Sequence, residues 1–150
     1  LHREDFMVKN VLPFIEFLKD RGILLFLASG TDAEDVRNEA YTLGYGHFFG
    51  EHIYGADNSM EGEAKKRVLD KILDNIGESE ADSIVTFGDG PVEIRETRKR
   101  GGITVGVASN EIRRFGLNEK KRERLVKAGA DIIIPDFSQS SFLSNLLNIS

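Results

Sequence analysis

The sequence predicts an α/β fold built on a mostly parallel sheet. Two observations carry this reading. Short apolar runs of strand length alternate along the chain with stretches whose apolar residues recur at helical spacing, and the connections are short. The run from Ile23 to Ala28 is also continuously apolar, as in a parallel strand buried on both faces. A length of 150 residues fits one domain, and no linker or internal repeat divides it, so residues 1–150 read as a single domain.

The elements follow in order. Val11, Leu12, Ile15, Phe17 and Leu18 mark a first helix that Gly22 stops. Ile23 to Ala28 is the first strand. Thr31 to Glu34 has the capping-box pattern and opens a helix through Val36, Ala40 and Leu43 to Gly44. A short strand at His52 to Tyr54 precedes a helix with Val68, Leu69, Ile72, Leu73 and Ile76 on one face. Ser83 to Phe87 is a strand, and Pro91 suits the first position of a helix ending near Gly101 and Gly102. Ile103 to Val107, a polar helix around Asn118 to Lys127, a strand at Asp131 to Ile134 and a helix through Leu147 complete the chain.

Composition excludes several functions. With 40% hydrophobic and 30% charged residues, the chain is a globular domain rather than a disordered one. It has no cysteine, so disulfides, thiol nucleophiles and cysteine zinc sites are out. A net charge of −5 argues against a general nucleic-acid binder, which needs a basic face. The longest apolar run is too short to span a bilayer, and no signal peptide opens the chain, so no membrane partner is expected and the cytoplasm is the expected location. His2, His47 and His52 lack metal-ligand spacing, and no Walker A pattern occurs.

Ligands of open parallel sheets bind beyond the carboxyl ends of the strands, which directs attention to the residues after Ala28 and Phe87. Gly88-Asp89-Gly90-Pro91-Val92-Glu93 follows the second of these strands. Gly90 permits a tight turn, and Glu93 in the first helical turn brings a carboxylate toward that of Asp89. Two hard oxygen ligands at a strand end suit Mg²⁺. The same residues would equally serve as a helix cap and a charge on the helix dipole. Ser29-Gly30-Thr31 follows the other strand. With Thr31 as the helix cap, Ser29 is left to meet a ligand, Gly30 permits close approach, and a helix N-terminus stands behind them; a turn serine is the plainer alternative. Lys65 and Lys66 could pair with a phosphate and the carboxylates, or simply form a solvated helix start. The basic runs Arg95 to Arg100 and Lys120 to Arg124 read as exposed helix faces.

In this order the pieces resemble the haloacid dehalogenase (HAD) superfamily of phosphohydrolases over nearly the whole chain. Leu24 to Ser29 is similar to the family's second motif, an apolar strand ending in Ser or Thr. Lys65 before Val68, Leu69 and Ile72 resembles the third, with Lys66 the alternative one residue on. Gly88 to Glu93 resembles the fourth, with Glu93 where Asp is usual. The resemblance implies a three-layer, doubly wound, Rossmann-like core. It implies that Ser29 and Gly30 hold phosphoryl oxygens, that Lys65 offsets charge, and that Asp89 and Glu93 bind or orient Mg²⁺. It further implies hydrolysis of a small phosphorylated substrate through an aspartyl-phosphate.

One feature of the family is missing. Its first motif, a strand ending Asp-x-Asp that carries the nucleophile, does not occur in these 150 residues. Asp136 is the nearest substitute, but Ser138 then stands at the acid/base position, and Asp136 reads better as a turn. The expectation is therefore that the natural polypeptide extends upstream of Leu1. Its nucleophile strand would lie between the Ile23 to Ala28 strand and the Ser83 to Phe87 strand, any sizeable cap would also lie upstream, and this chain alone would be inactive. The rival expectation is a non-catalytic HAD-like module that binds a phosphorylated ligand or a protein.

Overall fold

The structure, a computed structural model, describes residues 10–56, 64–77, 83–108 and 117–149. Helices and strands alternate over them as α1 (Val11–Asp20), β1 (Leu27–Asp32), α2 (Ala33–Thr42), β2 (Ile53–Ala56), α3 (Ala64–Ile76), β3 (Val85–Gly88), α4 (Pro91–Lys99), β4 (Ile103–Val107), α5 (Glu119–Ala128), β5 (Ile132–Ile134) and α6 (Ser140–Leu146). Every strand pairing is parallel: β1 with β2, and β3 with β4 with β5. The fold is therefore α/β with parallel strands, as the alternation of elements predicts.

Period-two burial explains the layering. In β4, Val105 and Val107 turn toward α1 and α6, where they meet Phe14, Leu18, Phe137 and Leu143. On the opposite face Ile94 of α4 and Leu125 of α5 are fully buried, with Ile133 of β5 against them. Helices thus cover both faces, and the strands need no polar side. Around β1 and β2 a second cluster joins Val36 and Ala40 of α2 to Phe49 and Ile53, with Ile15 of α1 at its edge. Leu25 packs into both clusters and so joins the two halves of the core.

The strands form two parallel groups, β1–β2 and β3–β4–β5. The break, or seam, between β1 and β3 is where the family resemblance puts the topological switch point, at which α/β proteins bind ligands. The inner edges of β1 and β3 have no ladder partner among the described residues, and these two strands do not pair with each other.

That open seam accounts for the main departure from the sequence reading. The first strand is Leu27–Asp32, not Ile23 to Ala28. Pairing decides where it starts: β2 lies opposite β1 from Leu27 onward, and the Leu27 N–H donates to His52 O at 2.9 Å. Residues 23–26 are apolar enough for a strand but have no ladder partner among the described residues. The strand also runs on through Ser29, Gly30 and Thr31, so α2 is capped by Asp32 rather than Thr31. Asp32 Oδ1 accepts from Glu34 N at 3.0 Å and Asp35 N at 3.2 Å, which leaves no capping box for Glu34 to close. The third strand likewise shifts to Val85–Gly88. Asp136 accepts from Ser138 N at 2.8 Å just after β5, the turn role expected of it.

The basic runs are not simply exposed faces. Arg98 Nη1 donates to Asp131 Oδ1 at 2.8 Å and to Gly129 O at 2.9 Å. Asp131 also accepts from Thr104 N at 2.8 Å and from the Thr104 hydroxyl at 3.1 Å, tying β4 to the start of β5. Thr104 is fully buried, so Asp131→Ala should strand its N–H and cost about 1–3 kcal/mol. Chemical denaturation measures this, with Asp131→Asn as the milder comparison. No helix among the described residues is long and apolar enough to cross a membrane.

Candidate active site

Of the sequence-predicted residues, Gly30, Lys65 and Glu93 come together. α3 packs along β1, and its first turn comes so close that a Cβ added to Gly30 would lie 3.2 Å from Lys65 Cβ and 3.5 Å from Lys65 N. Gly30 is what allows this approach. From the same turn Lys65 extends to α4, where Nζ meets Glu93 Oε2 at 2.8 Å. One lysine therefore touches both sides of the seam. Its neighbour Lys66 turns away, with Nζ 3.0 Å from Asp70 Oδ2 and 3.7 Å from Glu96 Oε1. Lys65, not Lys66, is the lysine that meets Glu93.

Glu93 is held by its surroundings. The residue is 4% exposed, in the first turn of α4 after Pro91 at its expected place. A Cβ on Gly88 would overlap Glu93 Cγ and lie 2.6 Å from Oε2; one on Gly90 would lie 3.0 Å from Oε1. The two glycines form a cradle for a carboxylate side chain. Gly90 has φ −125°, ordinary extended backbone, so it supplies space rather than the turn conformation its sequence position suggests. Glu93 Oε1 is buried without a hydrogen-bond partner among the described residues. A buried carboxylate oxygen without a partner calls for a cation or a donor from outside the described residues.

Asp89 is 55% exposed, and its Oδ2 lies 4.0 Å from Nζ of Lys121, a side chain only 13% exposed. The two carboxylates are paired with different lysines. Lys121 went unnoticed in the sequence because it lies in a run of charges, where nothing distinguishes an inward lysine from its neighbours. Ser29 is half-buried, and its hydroxyl accepts from Thr31 N at 3.1 Å, a local turn contact that leaves its own O–H proton for another acceptor.

Between α3 and α4 the second lysine belongs to a tight charge cluster. Arg100 Nη2 reaches Asp70 at 3.0 Å and Asp74 at 3.4 Å, and Arg100 Nη1 reaches Glu96 Oε1 at 3.5 Å. Burial acts to raise the Asp70 carboxyl, but hydrogen bonding with Lys66, Glu96 and Arg100 and the charge of Lys66 hold it below its ordinary range. Burial likewise acts to lower the Arg100 guanidinium, and hydrogen bonds to Asp74 and Asp70 outweigh it, so Arg100 stays charged.

Residues 1–99 match the family model of haloacid dehalogenase-like hydrolases. The chain belongs to this family. Solved structures agree on the fold. A structure titled a predicted phosphatase from Clostridium acetobutylicum is 18% identical, with TM-score 0.71, over 93% of this chain and 59% of that one. A conserved haloacid dehalogenase-like protein from Agrobacterium tumefaciens is 18% identical, with TM-score 0.72, over 97% and 64%. A HAD family hydrolase from Deinococcus radiodurans, with bound phosphate and sodium, is 15% identical, with TM-score 0.69, over 95% and 59%. The chain thus spans about three fifths of the length of the HAD structures it resembles. No curated protein matches it in sequence.

Proposed function

We propose that the intact protein is a Mg²⁺-dependent phosphohydrolase acting on a small phosphorylated metabolite. The observation that carries this reading is the Lys65–Glu93 pair laid against Gly30 at the switch point. Ser29 O–H and the Gly30 N–H would donate to phosphoryl oxygens at the end of β1. Lys65 would place its ammonium between that phosphate and Glu93, offsetting charge on both. The donor set around Glu93 fits a hard cation: Oε1 is buried and unpartnered, and Mg²⁺ characteristically takes one or two carboxylates and completes its shell with water. Glu93 and Asp89 would hold it, although among the described residues no group of three acidic or histidine side chains converges on one point. Bound Mg²⁺ would neutralise charge developing on the transferred phosphoryl group.

The nucleophile belongs, in this reading, to an aspartate outside the 150 residues, on a strand that fills the seam. The unpaired inner edges of β1 and β3 support it, because a parallel strand there would satisfy both ladders. The aspartyl-phosphate so formed would divide hydrolysis into two easier steps. We place the activity in the cytoplasm, with neither nucleic acid nor membrane as partner. A non-catalytic phosphate-binding module is the second reading, favoured by the lack of Asp-x-Asp in the sequence.

The test is Mg²⁺-dependent hydrolysis of a phosphate monoester by the intact polypeptide. Activity that disappears in Lys65→Met supports the enzyme, and binding without turnover supports the module. Calorimetric titration of Mg²⁺ should show strongly weakened affinity in Asp89→Asn, where the exposed carboxylate is lost. Unchanged affinity would remove Asp89 from the metal site.

A further inference from the structure

The end of β1 does not keep step with β2. Leu27 and Ala28 lie opposite Ile53 and Tyr54, and Asp32 lies opposite Ala56. Between the last two of these pairings β1 carries Ser29, Gly30 and Thr31, whereas β2 carries Gly55 alone. The strand therefore bulges at Ser29 and Gly30, the residues assigned above to phosphate. A bulge takes backbone groups out of the ladder and re-aims side chains, which is what an anion site at a strand end requires. Within the bulge Thr31 N donates to the Ser29 hydroxyl oxygen at 3.1 Å.

Gly55 makes room for this irregularity. A Cβ there would lie 2.5 Å from Ala33 Cα, 2.6 Å from Thr31 O and 2.8 Å from Ala33 N. All of these are backbone atoms, so no change of rotamer relieves the overlap. Gly55 is not among the glycines with left-handed backbone, so space rather than conformation demands glycine. An added methyl group must either push the end of β1 and the start of α2 away from β2 or flatten the bulge. Gly30 has little slack to absorb such a shift, because it already lies against the first turn of α3 at Lys65. We propose that Gly55 is a positioning residue. By admitting the Thr31 carbonyl and the first residue of α2, it fixes the backbone path that presents the Ser29 hydroxyl and the Gly30 N–H to a phosphoryl group. Gly55 itself meets no substrate. The phosphate part rests on the function proposed above; the dependence of the bulge on Gly55 does not.

Backbone amide resonances of the intact polypeptide test this, with inorganic phosphate as the probe. In Gly55→Ala the Gly30 and Thr31 amides should move before any phosphate is added, and phosphate affinity should fall about tenfold or more. Asp131→Ala, which weakens the fold between β4 and β5, should keep both at parental values and so separates lost stability from lost position. In the parent, phosphate should shift the Gly55 amide together with those of Ser29 and Gly30, a readout that does not need Gly55→Ala to fold. Parental Gly30 and Thr31 resonances with parental phosphate affinity in Gly55→Ala would overturn the proposal. So would a Gly55 amide that stays fixed while Ser29 and Gly30 respond. A parent that binds no phosphate would count against the functional reading, and the Gly30 and Thr31 resonances in Gly55→Ala would then judge the bulge alone.

Discussion

Gly88→Ala is expected to destabilise the chain by about 1–3 kcal/mol and to abolish phosphate binding beside Lys65. The new Cβ would overlap Glu93 Cγ, the stem of the side chain, and lie 2.7 Å from the carboxylate carbon Cδ. Glu93 cannot swing into water without leaving its buried position, because the residue is only 4% exposed and Gly90 limits it on the other side. The carboxylate must therefore move away from Lys65, or β3 must shift against α4. A double-mutant cycle identifies the cause. In a Glu93→Ala background the obstruction is gone, and Gly88→Ala should cost much less than it does alone. Equal costs in both backgrounds would show that strand backbone, not Glu93, resists the substitution.

Lys65→Met and Glu93→Met should change stability in opposite directions although they remove the same ion pair. Lys65→Met leaves a buried carboxylate with neither oxygen paired and should cost about 1–3 kcal/mol, less than a fully buried pair because Lys65 itself is 37% exposed. Glu93→Met removes that buried charge and fills its cradle with an apolar chain of similar volume. Lys65 can then hydrate, so the outcome should lie between no change and a gain of about 1 kcal/mol. Both substitutions should eliminate function. A residue whose neutralisation stabilises the fold while destroying activity is held there for chemistry, not for packing. Denaturant midpoints of the two variants read the signs directly, and destabilisation of similar size in both would contradict the argument.

Much of this was legible from residue order. The strand at Ile103–Val107, Pro91 at the first position of α4 and the apolar face of α3 follow from local periodicity and backbone chemistry, and they stand where the sequence puts them. Ser29, Gly30, Lys65, Asp89 and Glu93 stand out in the sequence because they follow apolar runs or open helical stretches. Relations fixed by pairing partners were not legible. Residues 23–26 are as apolar as a strand, but strand formation depends on a neighbour that no local pattern reveals. The pairing of Asp89 with Lys121, and of Lys66 with Glu96, depends on which helix lies opposite, a fact of tertiary packing. The Gly88 and Gly90 cradle was half visible: two glycines flanking an acid suggest a turn, and only the position of Glu93 shows that they make room for a carboxylate.

The most direct test of the proposed phosphate site is crystallographic. Crystals of the intact polypeptide grown with Mg²⁺ should be soaked in phosphate, and the anion located. The expected result is phosphate at the carboxyl end of β1, contacted by the Ser29 hydroxyl, the Gly30 N–H and Lys65 Nζ, and lost in Lys65→Met crystals. Phosphate bound only along Lys120 to Arg124, with the Ser29–Lys65 crevice empty, would contradict the assignment of this switch point as the catalytic centre.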